Sequence, residues 1–143
     1  MKRVYVNEKW CIGCHLCEYY CYFASTNQKD IARALKEKVI RPVINIEEAE
    51  GISFALSCRH CREPLCVKGC ITGALKKEND IITTNKNKCI GCYTCILCCP
   101  YGAIYPSEES VIQKCELCIN IHGTPQCVQG CPNRAIVFED RGE

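Results

Sequence analysis

Cysteine is the residue type that dominates the possible chemistry of this sequence, because 16 of its 17 cysteines fall into four regularly spaced blocks. The blocks are Cys11, Cys14, Cys17 and Cys21; Cys58, Cys61, Cys66 and Cys70; Cys89, Cys92, Cys95 and Cys99; and Cys115, Cys118, Cys127 and Cys131. Three closely spaced cysteines on one tight loop can supply three corners of a [4Fe–4S] cluster, and a fourth thiolate arrives from elsewhere in the fold. The four blocks therefore predict four [4Fe–4S] clusters.

Two other uses of cysteine compete with this interpretation. A secreted disulfide scaffold is disfavoured because the sequence starts without an apolar signal region, the cysteine count is odd, and the spacing repeats a metal-ligand pattern. Zinc ribbons join C-x2-C pairs, whereas blocks one and three each place three cysteines at x2-x2 spacing. A zinc-stabilised interaction module remains as the alternative from a different functional class.

Length and charge limit the class of protein further. A chain of 143 residues predicts one compact domain or two very small ones, for which bound clusters would act as structural staples. The formal charge of +2 counts each cysteine as neutral. Four oxidised clusters would add about −8, so we expect a holoprotein near −6. A negative net charge disfavours binding to the phosphates of nucleic acids. No apolar run reaches the length of a membrane span.

The cysteine blocks are set in a repeated unit. Similar phrases begin at Cys70, Cys99 and Cys131, and each predicts a short helical turn followed by a strand. Two hairpins follow. The first joins residues 74–77 to 81–84, and the second joins residues 103–105 to 111–113. Each hairpin would return the chain to the next cysteine loop.

Block one departs from this repeat, since neither a proline nor a Gly-Ala strand follows Cys21. The pattern instead predicts a helix over residues 28–38 and strands over 39–46 and 52–57, joined by a polar turn at 47–51. Residues 25–51 are interpreted as an insertion that covers a cluster or forms a docking surface, with cover as the preferred role.

The spacing also predicts which cysteines share a cluster, because the fourth cysteine of such a run ligates the other cluster in two-cluster bacterial ferredoxins. Blocks two and three are one hairpin apart and would exchange their fourth cysteines, and blocks one and four would do the same. The four predicted sets are Cys58, Cys61, Cys66 with Cys99; Cys89, Cys92, Cys95 with Cys70; Cys11, Cys14, Cys17 with Cys131; and Cys115, Cys118, Cys127 with Cys21. Pairing block one with two and block three with four stays open.

Together these features predict an α+β fold of two pseudo-symmetric, bacterial-ferredoxin-like modules, in which short β-hairpins and helical turns surround the clusters. The outer module comprises residues 1–24 with 108–143, and the inner module comprises 52–107. The insertion, a helix plus a hairpin, occupies 25–51. Cys98 is interpreted as a small buried apolar residue, since only Cys99 has the x3 spacing and the following proline. His15 and His60 are expected at the surface or beside cluster ligands.

The whole chain resembles the four-cluster, ferredoxin-like electron-transfer subunits of oxidoreductases related to dimethyl-sulfoxide reductase. The segment from Cys58 to Cys66 is similar to the family's C-x-H-C-x-x-P-x-C signature, and the Cys118-x8-Cys127 spacing is similar to its fourth block. Residues 4–18 look most like the small ferredoxin subunit associated with carbon monoxide dehydrogenase. Proline is missing after Cys21 and Cys70, which is a departure from the family's loops.

The resemblance implies a non-catalytic subunit that relays single electrons between a catalytic redox enzyme and a flavin- or nicotinamide-dependent oxidoreductase. Carbon monoxide dehydrogenase is the first expected catalytic partner. A formate dehydrogenase, another molybdenum or tungsten enzyme, or a hydrogenase is the alternative. Without an export leader or an anchor in the sequence, a soluble, cytoplasmic protein is expected.

Overall fold

A computed structural model of the chain describes residues 1–26, 28–36, 39–121 and 123–142. The fold mixes short helices with four two-stranded sheets. It divides into two compact units, which we call the inner unit, Ser57–Glu116, and the outer unit, Met1–Leu56 with Leu117–Glu143. The predicted division at residues 24, 51 and 107 uses different bounds and stays a prediction.

The inner unit consists of two single-turn helices and two hairpins. Its elements are α3 (Leu65–Lys68), β4 (Leu75–Glu78), β5 (Ile81–Thr84), a 3-10 turn (Lys86–Lys88), α4 (Thr94–Cys98), β6 (Ile104–Pro106) and β7 (Ile112–Lys114). Strand β4 pairs antiparallel with β5, and β6 pairs antiparallel with β7. Both hairpins expected from the sequence are therefore present, with bounds shifted by about one residue.

Local turn chemistry explains the first of these hairpins. Asn79 and Asp80 connect its strands with φ values of 48° and 63°. This left-handed pair suits a two-residue hairpin turn, and asparagine and aspartate tolerate that conformation better than most residues. The register pairs Glu78 with Ile81 and Leu75 with Thr84.

The inner core is small and combines aliphatic side chains with cysteines. Its buried members are Cys66, Leu75, Ile82, Cys95, Ile104 and Ile112. The four aliphatic residues come from the four strands, one from each, so each hairpin presents one face inward, as the two-residue period of a strand requires. The cysteine loops thus close over the faces of the hairpins.

The outer unit joins the two ends of the sequence. Its elements are β1 (Arg3–Val6), α1 (Leu16–Ser25), α2 (Ile31–Leu35), β2 (Ile44–Ala49), β3 (Ile52–Ser57, whose last residue falls in the inner unit), α5 (Gln126–Gln129) and β8 (Ile136–Glu139). Strand β1 pairs antiparallel with β8, from Arg3 opposite Glu139 to Val6 opposite Ile136. This pairing brings block one and block four into one unit.

The longest helix of the described residues, α1, was not expected from the sequence. It begins at Leu16, inside block one, and carries Cys17 and Cys21 one turn apart. Helix α1 packs against α5. Gly130, at the end of α5, makes this approach possible, because a Cβ atom there would lie 2.4 Å from the Tyr20 ring.

Several predicted bounds are wrong. The expected helix over 28–38 is only Ile31–Leu35, started by the Asp30 side chain, which accepts a hydrogen bond from the Ala32 N–H at 2.9 Å. Glu37 and Lys38 lie outside the described residues. The strand expected over 39–46 is Ile44–Ala49, whereas the strand over 52–57 is confirmed.

A hydrogen-bonded turn follows each of Cys70, Cys99 and Cys131, as the sequence predicts. The N–H groups of Gly73, Gly102 and Arg134 donate to the carbonyl oxygens of these cysteines at 3.2, 3.3 and 3.3 Å, and β4, β6 and β8 come next. The regular helices α3, α4 and α5, which lie before the same cysteines, were not predicted.

Candidate iron–sulfur cluster sites

One cavity of the inner unit, which we call the first inner cavity, is lined by four predicted ligands. Its atom-free space, including the part that is open to solvent, measures about 340 Å³. The cysteines that line it are Cys58, Cys61, Cys66 and Cys99. Three come from block two and the fourth comes from block three, across the β4–β5 hairpin.

A second inner cavity repeats this arrangement in reverse. It measures about 320 Å³, including the part that is open to solvent, and the cysteines that line it are Cys70, Cys89, Cys92 and Cys95. Here block three supplies three cysteines and block two supplies one. The thiols around the two inner cavities are thus grouped as an exchange of fourth cysteines would require, and the exchange of ligands itself stays a prediction.

The outer unit contains a third cavity of the same kind, the outer cavity, of about 300 Å³. Its cysteines are Cys11, Cys14, Cys17 and Cys131. The Asn133 side chain donates a hydrogen bond to the Trp10 carbonyl oxygen at 3.0 Å, which ties the loop of block one to the segment after Cys131. Trp10 lines the cavity and leaves 56% of its own surface exposed.

The remaining predicted set is brought together only in part. Cys118 contributes to the raised pKa of Cys21, after burial, so these two residues lie near one another in the outer unit. Cys127 is buried in the core cluster against which Cys21 packs. Cys115 falls in the residue range of the inner unit. A cluster held by all four of these cysteines stays a prediction.

The backbone of the C-x2-C-x2-C loops is shaped to surround an anionic group. Gly13 and His15 have φ values of 63° and 60°, and Gly91 and Tyr93 have φ values of 68° and 58° at the same positions of block three. Left-handed residues alternating with ordinary ones turn successive N–H groups inward, as in anion-binding nests of iron–sulfur sites. At Gly91 a Cβ atom would also collide with the Ser110 carbonyl oxygen at 2.2 Å, so only glycine fits there.

Burial keeps several of these thiols protonated in the metal-free chain. Burial, followed by the charge of Glu18, raises the pKa of Cys17 to about 12. Burial likewise raises the pKa of Cys66 to about 11 and that of Cys21 to about 11. Since thiolates are the ligating species, binding of metal must displace these protons.

Two thiols of the second inner cavity are stabilised as thiolates instead. The backbone N–H and the hydroxyl of Thr94 lower the pKa of Cys92, and the hydroxyl donates to Cys92 Sγ at 3.6 Å. Although burial raises the pKa of Cys70, the backbone N–H groups of Leu75 and Ala74 and the nearby Thr72 hydroxyl lower it overall. Hydrogen bonds to sulfur are one of the means by which a protein adjusts cluster potential.

Strand β2 of the predicted insertion contributes to the outer unit. The N–H groups of Val43 and Ile44 donate to Cys21 Sγ and lower its pKa against the larger effect of burial. Ile46 lines the outer cavity, and its N–H donates to Glu18 Oε1 at 2.6 Å. These contacts assign residues 43–46 to the surroundings of the cysteines, in keeping with a covering role.

The other residues that the sequence singled out have structural roles. His60 is fully buried, and its Nδ1 accepts a hydrogen bond from the Ile82 N–H at 3.0 Å. His15 is partly exposed beside Glu18, with Nδ1 and Oε2 2.8 Å apart. Cys98 is partly buried, less than the sequence predicts, and it lies near Gly69 outside the cysteine sets of the three cavities.

Two charged residues near the thiols were missed. Glu18 acts on both Cys17 and Cys21, and Lys114 acts on both Cys58 and Cys66. The sequence did indicate that the Lys114 side chain faces the core. Ile112 and Lys114 share one face of a short strand, and Ile112 is an obvious core residue. The position of Glu18 follows only from α1.

The donor sets fit iron–sulfur clusters. Four thiols surround a space in each cavity, whereas one zinc ion would draw four sulfurs to about 2.3 Å from a common centre. Among the described residues no three His, Cys, Asp or Glu side chains converge closely enough to hold a single metal ion. Four thiols around one space are the donor set that a [4Fe–4S] cluster requires.

Comparison with known proteins agrees with this chemistry. The 4Fe–4S dicluster domain matches residues 49–141, which is more than half of the sequence. The chain belongs to this family.

The relatives extend the similarity over nearly the whole chain. Electron transport protein HydN of Escherichia coli strain K12 is 31% identical over 149 residues, covering 93% of this chain and 85% of HydN. Thiosulfate reductase electron transfer subunit PhsB of Salmonella typhi is 33% identical over 146 residues, covering 92% and 72%. AegA of Escherichia coli K12 is 30% identical over 141 residues, but the chain spans only 21% of its length.

These findings define the class of protein as an iron–sulfur electron-transfer protein, distinct from a catalytic subunit. No helix of the described residues is both long and apolar enough to span a bilayer.

Proposed function

We propose that this chain is an electron-transfer subunit that holds four [4Fe–4S] clusters and relays single electrons between a catalytic redox enzyme and a second carrier. The observation that carries the proposal is the three-plus-one arrangement of cysteines around each of three cavities. When bound, each cluster supplies a site that gains or loses one electron.

The 16 block cysteines are the proposed ligands, in the four sets that the spacing predicts. Three sets each line one cavity. The fourth set, Cys21, Cys115, Cys118 and Cys127, is proposed from the repeat and from the proximity of Cys21 to Cys118. The family description refers to two clusters, so the count of four belongs to this proposal. The pseudo-symmetry of two ferredoxin-like modules is proposed on the same grounds.

Exposed cysteines give a partner access to two of the cavities. Cys14 of the outer cavity and Cys92 of the second inner cavity are both exposed. Ile12 beside Cys14 leaves 61% of its surface exposed, and Ile90 beside Cys92 leaves 65% exposed. Apolar side chains around a solvent-exposed ligand favour close approach of another protein, which transfer between proteins requires.

The catalytic partner is proposed from a sequence resemblance and from the name of one relative. Carbon monoxide dehydrogenase is proposed because residues 4–18 resemble the ferredoxin subunit associated with that enzyme. The name of PhsB, a thiosulfate reductase subunit, favours a reductase of another class. Formate dehydrogenases and hydrogenases belong to the same second group of partners. A flavin- or nicotinamide-dependent oxidoreductase is the proposed second carrier.

Anaerobic purification tests the proposal directly. Four cubane clusters require about 16 iron and 16 sulfide per chain, and two require about eight of each. The brown protein should bleach on reduction and show one-electron signals in electron paramagnetic resonance (EPR). A colourless protein loaded with zinc contradicts the proposal, and an iron count near eight reduces the proposal to two clusters. Affinity capture with each partner enzyme then tests the pairing.

A further inference from the structure

Lys114 is a charged residue placed where apolar residues are usual. It is the last residue of β7, and only 5% of its surface is exposed. Its ammonium donates hydrogen bonds to the carbonyl oxygen of Ile82 and, at 2.6 Å, to that of Cys115. None of the ion pairs recorded among the described residues includes Lys114. A buried ammonium costs folding free energy unless a negative charge compensates it.

The hydrogen bonds place this ammonium beside the first inner cavity. Ile82 lines that cavity together with the thiols of block two and Cys99. Burial raises the pKa of both Cys58 and Cys66, and the positive charge of Lys114 opposes the rise at both. Two cysteines of one set therefore experience the charge of Lys114.

Among the described residues no ion pair compensates the charge of Lys114, and a bound cluster would supply this compensation. A [4Fe–4S] centre with four thiolates carries about −2 when oxidised and about −3 when reduced. A fixed positive charge in a poorly hydrated site attracts the more negative form more strongly. It therefore favours reduction.

We propose that Lys114 is a potential-setting residue, whose buried ammonium, fixed by the Ile82 carbonyl beside the first inner cavity, raises the reduction potential of the cluster held there. The inference rests on the proposed function, because it requires a cluster in that cavity. A purely structural role is the competing account, since the same ammonium also ties β7 to the carbonyl of β5.

Two substitutions separate charge from tethering. Lys114→Gln removes the charge and keeps a hydrogen-bond donor, and Lys114→Arg keeps both. Holoprotein is prepared anaerobically, its iron is counted, and its clusters are titrated with EPR detection. At the wild-type midpoint, we expect the reduced-to-oxidised ratio of one cluster to fall about tenfold in Lys114→Gln, which corresponds to about 59 mV for one electron. Lys114→Arg should keep all midpoints, and the cluster of the outer cavity, which is lined by neither a neighbour nor a partner of Lys114, should keep its midpoint in both variants.

Full iron content with unshifted midpoints in Lys114→Gln overturns the proposal and leaves the proposed function intact. A wild-type protein without iron and sulfide overturns the proposed function itself. Cys99→Ser identifies the affected cluster, because it alters the signal of the first inner cavity alone. An equal shift of the outer-cavity signal, which Cys14→Ser identifies, also contradicts the role of Lys114.

If Lys114→Gln does not hold its full iron, the midpoints of two clusters in the wild-type protein are compared instead. The signal that Cys99→Ser alters should have a higher midpoint than the signal that Cys14→Ser alters, because the outer cavity lies beside the anionic Glu18. The opposite order overturns the proposal.

Discussion

The first inner cavity and the outer cavity share the same kind of donors and differ in the charge beside them. Both are lined by three cysteines of one block and one of another. The inner cavity has Lys114 acting on Cys58 and Cys66, whereas the outer cavity has Glu18 acting on Cys17. Opposite charges should shift the potentials of the two clusters in opposite directions. Clusters with one ligand type can thus differ in potential through residues that never touch iron.

The hydrogen-bond donors around the thiols also differ. Inner thiols receive N–H groups from the hairpins and hydroxyl groups from Thr72 and Thr94. In the outer unit, Cys21 receives N–H groups from Val43 and Ile44, which belong to a segment without a counterpart in the inner unit. Residues 43 and 44 therefore supply to Cys21 the kind of N–H donors that residues 74 and 75 supply to Cys70.

The largest effect is expected for Cys99, which joins block three to the first inner cavity. Cys99→Ala should remove about four iron atoms per chain or convert one cluster to a three-iron form, because three thiolates remain. Cys98→Ala is the matched control and should keep the full iron content, since Cys98 packs against Gly69. Iron analysis and EPR measure both. Equal loss from the two variants contradicts the ligand assignment.

Gly91→Ala should damage the second inner cavity and leave the outer unit loaded. A Cβ atom there would meet the Ser110 carbonyl oxygen at 2.2 Å, so the block-three loop must move. We expect loss of about four iron atoms. Gly73→Ala has a nearly equal φ, 64° against 68°, but no atom within 4 Å of the added carbon. It should retain the cluster, and loss in both variants would point to backbone strain in place of the clash.

Gly130 and Gly69 end α5 and α3 at equivalent places in the two units. Gly130→Ala places carbon 2.4 Å from the Tyr20 ring and should destabilise the outer unit by about 1–3 kcal/mol. In Gly69→Ala the nearest contact is Cys98 Sγ at 3.0 Å, so the cost should be smaller. Loss of visible absorbance in rising denaturant ranks the two. Equal sensitivity would show that α1–α5 packing is not the tighter contact.

Glu18→Gln tests the outer half of the charge comparison. Glutamine keeps an oxygen that can accept the Ile46 N–H, but it removes the negative charge beside Cys17 and Cys21. The midpoint of an outer cluster should rise, by up to about 59 mV if the effect is tenfold. An EPR-monitored titration measures the shift. Inner midpoints serve as the internal control, and a fall in the outer midpoint would contradict the electrostatic account.

The smallest effect is expected for Thr94, whose hydroxyl lies 3.6 Å from Cys92 Sγ. Thr94→Val should lower the midpoint of the second inner cluster by less than the change in Glu18→Gln, because one weak hydrogen bond to sulfur is lost while the backbone donor remains. Thr83→Val, on strand β5, is the control of equal size change. A midpoint shift of the same size in both variants would rule out the hydrogen bond as the cause.

Much of the site was predictable because ligand spacing is a local property of the chain. The regular C-x2-C-x2-C runs indicate three corners of a cluster without knowledge of the fold. The hairpin at 75–84 was equally predictable, since Asn79 and Asp80 favour the left-handed turn between two apolar strands. Because this hairpin is short, the sequence predicts that blocks two and three exchange their fourth cysteines. The helix bounds were less predictable, because aromatic residues in α1 have only moderate helix propensity.

By itself, the sequence determined the cofactor class and the inner hairpins and predicted which cysteines line three of the cavities, because these follow from local spacing and turn chemistry. Only the tertiary structure decided which charges lie beside the thiols. Lys114 and Cys58 are 56 positions apart, and the β7 strand brings the ammonium to the cavity through the Ile82 carbonyl. Electrostatic influence depends on distance through space and on burial, and neither quantity can be read from the order of residues.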